Sequence, residues 1–156
     1  MPTNPKTCKG SCLCGEVKLK VVGEPQVAGF RHCQDCLLWH AAPVNAWATW
    51  PSEKIRITAG EDSIIENEKG ANIRCRCSKC GSGLMNRKPN RRTVVYATVL
   101  AGSGFLHRAE FHIHCDERIL DMPDGLPKFV YTPKEWGGSG KTLPEPERLR
   151  MRSIRD

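Results

Sequence analysis

The chain has 156 residues, of which 39% are apolar and 26% are charged, and its formal net charge is +7. These values are typical of a single globular domain that is long enough to bury a core without disulfide staples. No apolar run approaches the ~18 residues of a membrane-spanning helix, and the first ten residues lack the apolar region of a secretory signal. We therefore expect a cytoplasmic protein that does not enter a membrane.

The excess of positive charge, 24 Lys and Arg against 17 Asp and Glu, is one feature of nucleic-acid-binding proteins. Part of the excess lies in residues 141–156, which hold five basic and three acidic residues. No basic stripe interleaved with aromatic residues accompanies it. We therefore predict a solvated basic surface rather than a nucleic-acid partner.

Short strands separated by turns are predicted along the chain, which indicates a mainly β fold with little helix. Apolar residues alternate with lysines over 15–22, which predicts a half-buried strand. Further short apolar or alternating segments predict strands over 44–50, 55–57, 63–66 and 111–115. The β-branched, apolar run at 93–100 predicts a central strand, and one helical turn is predicted within 36–42.

The two ends differ in composition from the rest of the chain. Residues 1–7 contain two prolines among polar neighbours, and residues 137–147 mix glycine with proline. Such segments bury little apolar surface and tend to be flexible. We therefore predict a flexible leader over 1–7, one domain over 8–136, and a flexible basic tail over 137–156.

Nine cysteines are many for a chain of this length, and their number is odd. Without a secretory signal, clustered cysteines more often bind metal or carry out chemistry than form disulfides. The clustered cysteines fall into three groups: Cys12 with Cys14, Cys33 with Cys36, and Cys75 with Cys77 and Cys80. Cys8 and Cys115 stand apart, and we predict that both are buried apolar residues.

The first and third groups predict one structural zinc site. Cys77 and Cys80 form a Cys-x-x-Cys turn followed by Gly81, and Cys12 and Cys14 form a Cys-x-Cys pair. A structural zinc ion requires four tetrahedral ligands, and the two distant pairs together supply four thiolates. The Cys33 and Cys36 pair predicts a second metal site or a reactive thiol pair rather than plain burial.

The order of these motifs resembles the glutathione-dependent formaldehyde-activating enzyme family, whose domain is shared with centromere protein V. The resemblance covers about residues 8–136. It is carried by the segments Gly10–Val17, His32–Cys36 and Arg76–Ser82, followed by further short matches as far as Phe129. Each piece alone is unspecific, whereas all of them in this order and spacing are specific.

The resemblance implies a tent-like arrangement of short antiparallel sheets and two zinc ions. It places the structural zinc on Cys12, Cys14, Cys77 and Cys80. It implies a second, catalytic zinc on three cysteines of a Cys-His-Cys-x-x-Cys motif. It also implies carbon–sulfur lyase activity of the type that joins formaldehyde to the glutathione thiol, which gives S-hydroxymethylglutathione.

The sequence departs from the family at this second motif, because Arg31 stands where the first cysteine is expected. Cys33 and Cys36 remain as the expected catalytic residues and second-zinc ligands, one thiolate short of the three-ligand open site that zinc catalysis uses. The candidates for a replacement ligand are His32, His40 and Cys75. Arg31 itself either pairs with an anionic ligand, such as a glutathione carboxylate, or is a surface residue.

Two further histidines, His112 and His114, are two residues apart in a predicted strand and would share one face of it. Such a pair can bind a metal, but we favour solvated or hydrogen-bonded side chains.

Two hypotheses for the function follow from the sequence. The first is a zinc-dependent carbon–sulfur lyase that acts on an adduct of glutathione or another small thiol with an aldehyde. The second is a non-catalytic zinc-binding module that engages a partner, with its second metal site degraded by Arg31. A shared fold does not decide between them.

Overall fold

The computed structural model describes residues 1–88 and 90–152. Within these residues the chain forms fourteen β-strands, one α-helix and five short 3₁₀ turns. The strands are β1 (Thr7–Ser11), β2 (Lys18–Val22), β3 (Val27–Arg31), β4 (Asn45–Pro51), β5 (Ile55–Ala59), β6 (Ile64–Lys69), β7 (Asn72–Cys77), β8 (Gly83–Arg87), β9 (Arg92–Tyr96), β10 (Phe111–Ile113), β11 (Leu120–Asp121), β12 (Lys128–Phe129), β13 (Thr142–Leu143) and β14 (Arg150–Met151). The helix is α1 (Gln34–His40), and the 3₁₀ turns span Ser52–Lys54, Glu61–Ser63, Ala97–Leu100, Cys115–Glu117 and Lys134–Trp136.

The chain forms two compact units. The first unit comprises Met1–Val27 and Trp47–His107, and the second comprises Ala28–Ala46 and the described residues from Arg108 onward. Both units are therefore assembled from segments that are distant in sequence. The predicted mainly β fold with little helix is confirmed in both of them.

The first unit contains two antiparallel arrangements. Strands β1, β2 and β5 form a three-stranded sheet in that order. A second arrangement contains β4, β9, β8, β7 and β6 side by side in that spatial order, and each strand is hydrogen-bonded antiparallel to the next. Trp50 is fully buried in the core and packs against Phe105 at a ring-centroid distance of 5.6 Å. Its indole N–H donates to the carbonyl oxygen of Gly23 at 3.0 Å. An indole buried with its polar atom satisfied combines a large apolar area with no unpaired donor.

The second unit is built around the short strand β10. It pairs in parallel with β3 on one side and with β12 on the other, and β12 pairs antiparallel with β13. Strands β11 and β14 form a separate antiparallel pair. Phe111 in β10 makes edge-to-face contacts with Phe129 and Trp136, at ring-centroid distances of 5.7 Å and 5.3 Å.

Several predicted boundaries differ from the observed ones. The strand predicted over 15–22 begins only at Lys18, because the backbone turns at Gly15, whose φ is 80°. The run 93–100 is extended only as far as Tyr96, and Ala97–Leu100 forms a 3₁₀ turn. The predicted strand 111–115 ends at Ile113, since His114 has φ 56°, a left-handed conformation that cannot continue a strand.

The predicted leader and tail both contribute strands. Strand β1 begins at Thr7 and pairs with β2, while β13 and β14 lie within residues 137–156. The predicted domain boundaries stay a prediction. Within residues 1–88 and 90–152, no helix is both long and apolar enough to cross a membrane.

Candidate metal centre and the second cysteine motif

Four cysteine sulfur atoms meet in the first unit. The Sγ atoms of Cys12, Cys14, Cys77 and Cys80 all lie within 4.8 Å of one another. The Sγ of Cys14 is 3.7 Å from that of Cys12 and 3.9 Å from that of Cys77. All nine cysteines lie in described residues, and no disulfide joins any two of them. The two distant cysteine pairs are therefore brought together as four thiols.

The first arm of this cluster is a tight turn that precedes β2. The backbone N–H of Gly15 donates to the carbonyl oxygen of Cys12 at 3.2 Å, and the N–H of Cys12 donates to that of Val17 at 3.0 Å. The N–H of Val17 also donates to the Sγ of Cys12 at 3.2 Å. A backbone donor aimed at a sulfur favours its thiolate form, which is the form that binds metal.

The second arm is the turn after β7. The N–H of Gly81 donates to the carbonyl oxygen of Cys77 at 2.8 Å, and Gly81 has φ 76°. The N–H of Cys77 donates to the carbonyl oxygen of Ser82 at 3.0 Å. Glycine adopts this left-handed conformation without steric cost, so the turn can bring Cys77 and Cys80 to the same point.

Two contacts that we had not predicted join the arms. The Oγ of Ser82 accepts a hydrogen bond from the backbone N–H of Leu13 at 3.0 Å and lies 3.2 Å from the Sγ of Cys80. Glu16 binds Lys79 at 3.0 Å and accepts a hydrogen bond from the hydroxyl of Ser63 at 2.8 Å. The only sequence signal for these contacts is that Ser82 and Glu16 lie within two residues of a cysteine, and many polar residues do.

The thiol pKa values in the cluster move in opposite directions. The pKa of Cys80 is lowered to about 5 by hydrogen bonds from the side chain and backbone of Ser82, with a further contribution from Cys14. A backbone hydrogen bond at Glu16 lowers the pKa of Cys14, but desolvation and the neighbouring sulfurs outweigh it and raise the pKa to about 11. Four crowded sulfurs therefore cannot all be thiolates unless a cation joins them.

The geometry fits a zinc ion. Four sulfurs at ~2.3 Å from a tetrahedral ion lie ~3.8 Å from one another, and two of the sulfur pairs here are at 3.7 Å and 3.9 Å. Cys77 is fully buried and Cys12 is buried, whereas Cys14 is exposed. Such a group of four thiols could hold a metal ion at the edge of the first unit.

Replacing Gly60 with alanine is expected to destabilise the first unit by about 2–4 kcal/mol. Gly60 has φ 73°, and an added Cβ would overlap the backbone carbonyl of Glu16, next to the first arm. Gly70→Ala is the matched control, because Gly70 has φ 59° but its Cβ would meet no atom within 4 Å, so we expect a loss of only about 1 kcal/mol. Urea unfolding of the two variants measures the difference, and equal losses would contradict the close approach at Glu16.

The second cysteine motif lies in the second unit, at the start of α1. Cys33 immediately precedes the helix, Cys36 lies in its first turn, and both are buried. The Nε of Arg31, at the end of β3, donates to the Sγ of Cys33 at 3.2 Å. Arg31 therefore pairs with a cysteine of its own motif and is only partly exposed, whereas its predicted pairing with an anionic ligand stays a prediction.

The electrostatics of this pair are mutually reinforcing. A hydrogen bond from Cys36 and the positive charge of Arg31 outweigh burial and lower the pKa of Cys33 to about 5. Burial acts to lower the pKa of Arg31, but the negative charge of Cys33 and Cys36 outweighs it and raises that pKa. The arrangement holds Cys33 as a thiolate near neutral pH.

No group of three possible ligands forms around Cys33 and Cys36 in the described residues. Within residues 1–88 and 90–152, the four-cysteine cluster is the one group of three or more His, Cys, Asp or Glu side chains close enough to share an ion. The Sγ of Cys75, fully buried in β7, lies 3.7 Å from the carbonyl oxygen of Ile73, and burial raises its pKa to about 11. Second-zinc binding by Cys33 and Cys36 stays a prediction.

A buried polar network contains two of the histidines considered from the sequence. The Nε2 of His32 lies 2.8 Å from the Nδ1 of His112, whose Nε2 lies 2.8 Å from a carboxylate oxygen of Asp124. Lys128 donates to Asp124 at 2.8 Å and to Glu145 at 2.7 Å. Hydrogen bonding is therefore the observed role of His112, as favoured from the sequence, but its partners come from segments that no local pattern connects.

His114 does not share the environment of His112. Its ring packs edge-to-face on Tyr131 at a ring-centroid distance of 4.5 Å, and its Nδ1 lies 3.8 Å from a carboxylate oxygen of Glu117. Because β10 ends before His114, the two imidazoles do not form the strand-face pair that would bind a metal.

Cys8 and Cys115 are both buried, as predicted. Burial raises the pKa of Cys115 to about 12, so this thiol stays protonated and unreactive.

A cavity of about 890 Å³ lies beside α1 in the second unit. Gln34 and Leu37, which follow Cys33 and Cys36 in the chain, line one part of it, and the charged side chains of Asp116, Glu117, Arg118, Arg150 and Arg152 line another. A volume of this order is in the range that small-molecule sites have. Guanidinium groups that line it are suited to bind carboxylates.

A family model described as "Glutathione-dependent formaldehyde-activating enzyme" matches residues 7–118. The crystal structure of a Rhodobacter sphaeroides protein, a structural genomics target, is similar to the chain with 22% sequence identity and a TM-score of 0.48. That similarity covers 60% of this chain and 88% of the other. No curated protein matches the chain. The family match includes all six cysteines of the two predicted zinc sites.

Proposed function

Because the chain belongs to the glutathione-dependent formaldehyde-activating enzyme family, whose model matches residues 7–118, we propose that it is a carbon–sulfur lyase. Its substrates are adducts between a small thiol such as glutathione and an aldehyde such as formaldehyde. The observation that carries the proposal is the hydrogen bond from Arg31 to the Sγ of Cys33, 3.2 Å long, at the second motif of the family.

The proposed chemistry follows from the groups at this motif. Formation of the adduct joins the thiol sulfur to the aldehyde carbon, while the thiol loses its proton and the carbonyl oxygen gains one. We assign these proton transfers to Cys33 and Cys36, as general base and acid. Arg31 then faces the negative charge that develops on the oxygen. In the reverse direction the same bond breaks and the same protons return.

The cavity beside α1 is the proposed binding site of the thiol. Glutathione carries two carboxylates, and Arg118, Arg150 and Arg152 line this cavity. All three guanidinium groups also lie near the buried carboxylate of Asp121, at 2.8 Å, 3.0 Å and 3.6 Å. Asp116 and Glu117 also line the cavity, so the arginines would hold a carboxylate of glutathione by direct hydrogen bonds rather than through an excess of positive charge.

The cluster of Cys12, Cys14, Cys77 and Cys80 is proposed to hold one structural zinc ion, which would stabilise the fold and take no part in the reaction. A reducing compartment such as the cytoplasm is part of the proposal, because these cysteines must remain thiolates to bind the ion. No nucleic-acid partner is proposed.

Replacing Cys33 with alanine is expected to reduce the catalysed exchange between glutathione, formaldehyde and their adduct by about 10²–10⁴-fold. Magnetisation-exchange NMR measures this rate against the uncatalysed background. Cys115→Ala is the matched control, a buried cysteine of the same unit, and it should retain the wild-type rate. Wild-type protein that contains its zinc but does not exceed the background rate would overturn the proposed activity.

The alternative function is a non-catalytic zinc module that engages a partner. The observation that favours it is Arg31 at the position of a cysteine ligand. Zinc-loaded protein without exchange activity but with salt-sensitive association to an anionic partner would support this alternative.

A further inference from the structure

The resemblance to the family implies a second zinc ion, held by three cysteines of the second motif. The contacts of Arg31, Cys33 and Cys36 determine whether this chain fits such an ion. The metal content of the motif does not depend on turnover, so it is the same question for the lyase and for the non-catalytic alternative.

The position expected for a thiolate is occupied by a cation that contacts the motif directly. The Nε of Arg31 donates to the Sγ of Cys33 at 3.2 Å, and Cys33 and Cys36 are only 6% and 4% exposed. This charge-assisted hydrogen bond holds a full positive charge in direct contact with the sulfur that a metal would require. A divalent ion on Cys33 would also stand next to a guanidinium that is always protonated, with little water to screen the repulsion.

The described residues offer no third ligand close enough to Cys33 and Cys36 to share an ion with them. His32 is adjacent to Cys33 in the chain, and its Nε2 is 2.8 Å from the Nδ1 of His112. Its own Nδ1 has no hydrogen-bond partner among residues 1–88 and 90–152, but it forms no ion-sized group with Cys33 and Cys36. No ion-binding group of three includes Cys33 or Cys36 in the described part of the chain. Two buried thiols without a third ligand do not make the closed or open zinc sites found in proteins.

We propose that Arg31 takes the place of both the third ligand and the metal, so that the Cys33–Cys36 motif of this chain is a zinc-free thiol–guanidinium site. Its positive charge comes from a side chain that cannot dissociate. The folded protein therefore holds one zinc ion per chain, on the cluster of the first unit.

The test is the zinc content of the full chain after saturation with zinc and removal of the excess. Wild type is expected to contain one zinc per chain. Arg31→Cys supplies the third thiolate and removes the guanidinium, so it should contain two. Arg31→Ala removes the guanidinium without adding a ligand, and it should contain one.

Cobalt substitution gives a second readout. Wild type should show only the absorption of a four-thiolate site, and Arg31→Cys should add the bands of a second thiolate site. A second zinc in wild type or in Arg31→Ala would overturn the proposal, as would a single zinc in Arg31→Cys that melts like wild type. If Arg31→Cys fails to fold, the zinc content of Cys33→Ser tests the proposal instead. This variant should contain as much zinc as wild type, and loss of an ion would contradict the proposal.

None of these outcomes depends on enzymatic turnover. A wild-type protein with one zinc and no exchange activity would leave this inference standing and remove the proposed lyase function. An active protein with two zinc ions would overturn this inference and leave the proposed lyase function standing.

Discussion

Replacing Cys77 with serine is expected to remove the metal from the first unit and to unfold it at temperatures where the wild type is native. Cys77 is fully buried, and its sulfur is 3.9 Å from that of Cys14. The binding free energy of a structural zinc, about 10–16 kcal/mol in zinc-finger peptides, is available for folding only when the site is complete. We expect a loss of at least about 3–5 kcal/mol in the free energy of unfolding, which exceeds the effect of most single substitutions.

Cys36→Ser is the matched control for this prediction. Cys36 is also buried, but it belongs to the second motif and does not lie in the four-sulfur cluster. Thermal melting and zinc release to a chelator should show a lower melting temperature and lost zinc for Cys77→Ser only. Equal melting temperatures for wild type and both variants would contradict the structural role of the cluster.

The four-cysteine cluster could be predicted from the sequence because its information is local. The two cysteines of each pair are separated by only one or two residues and are followed by a glycine that permits the turn, so each pair makes half of a tetrahedron by itself. The sequence could not indicate how the two halves are joined. The contacts of Ser82 with Leu13 and of Lys79 with Glu16 depend on tertiary structure, and their residue types are common at any surface.

The strand boundaries were predicted less well, for a related reason. The run at 93–100 has strand propensity throughout, yet the chain turns after Tyr96. Propensity describes how a residue fits a pleated surface, and it cannot indicate where the neighbouring strand ends. In β4, which pairs with β9 only from Trp47 to Pro51, side chains on both faces are buried, so the alternation seen over 44–50 does not mark a solvent face.

The second motif shows the limit of reasoning by resemblance. Arg31 was identified as a departure, but the sequence left open whether it was a surface residue or a ligand-binding one. Its contact with Cys33 follows from the end of β3 and the start of α1, which place residues 31 and 33 on the same side of the chain. The network of His32, His112 and Asp124 was not predicted, because its members come from three separate segments.

This network places charges where solvent is scarce. His32 and His112 are each 1% exposed and Lys128 is 5% exposed, whereas Asp124 is 30% exposed. Burial lowers the pKa of His32 to about 3 and also lowers that of His112, so both imidazoles are neutral at pH 7. Neutral His112 donates from Nε2 to Asp124 and accepts at Nδ1 from His32. Asp124 is thus the carboxylate that satisfies both a buried imidazole and a buried ammonium.

Replacing Asp124 with asparagine is expected to lower the free energy of unfolding by about 2–3 kcal/mol at pH 7. The loss arises because Lys128 keeps its charge in a buried position with only Glu145 as its carboxylate partner. Removing one partner of a fully buried ion pair costs about 3–5 kcal/mol, and partial exposure of Asp124 reduces the effect. Urea unfolding of the zinc-loaded proteins measures the difference.

Two controls identify the cause of that loss. Adding Lys128→Met to Asp124→Asn removes the unpaired charge, so the double variant should be more stable than Asp124→Asn alone.

The second control is the pH dependence of the loss. Burial would raise the pKa of Asp124, but hydrogen bonds from Lys128 and His112 outweigh it and lower the pKa to about 2. A lowered pKa stabilises the fold above the unfolded value of ~3.9, and this contribution falls as the pH drops from there towards 2. The difference in the free energy of unfolding between wild type and Asp124→Asn should therefore shrink on acidification. A difference that stays constant from pH 7 to pH 3 would show that the charge of the Asp124 carboxylate does not cause it.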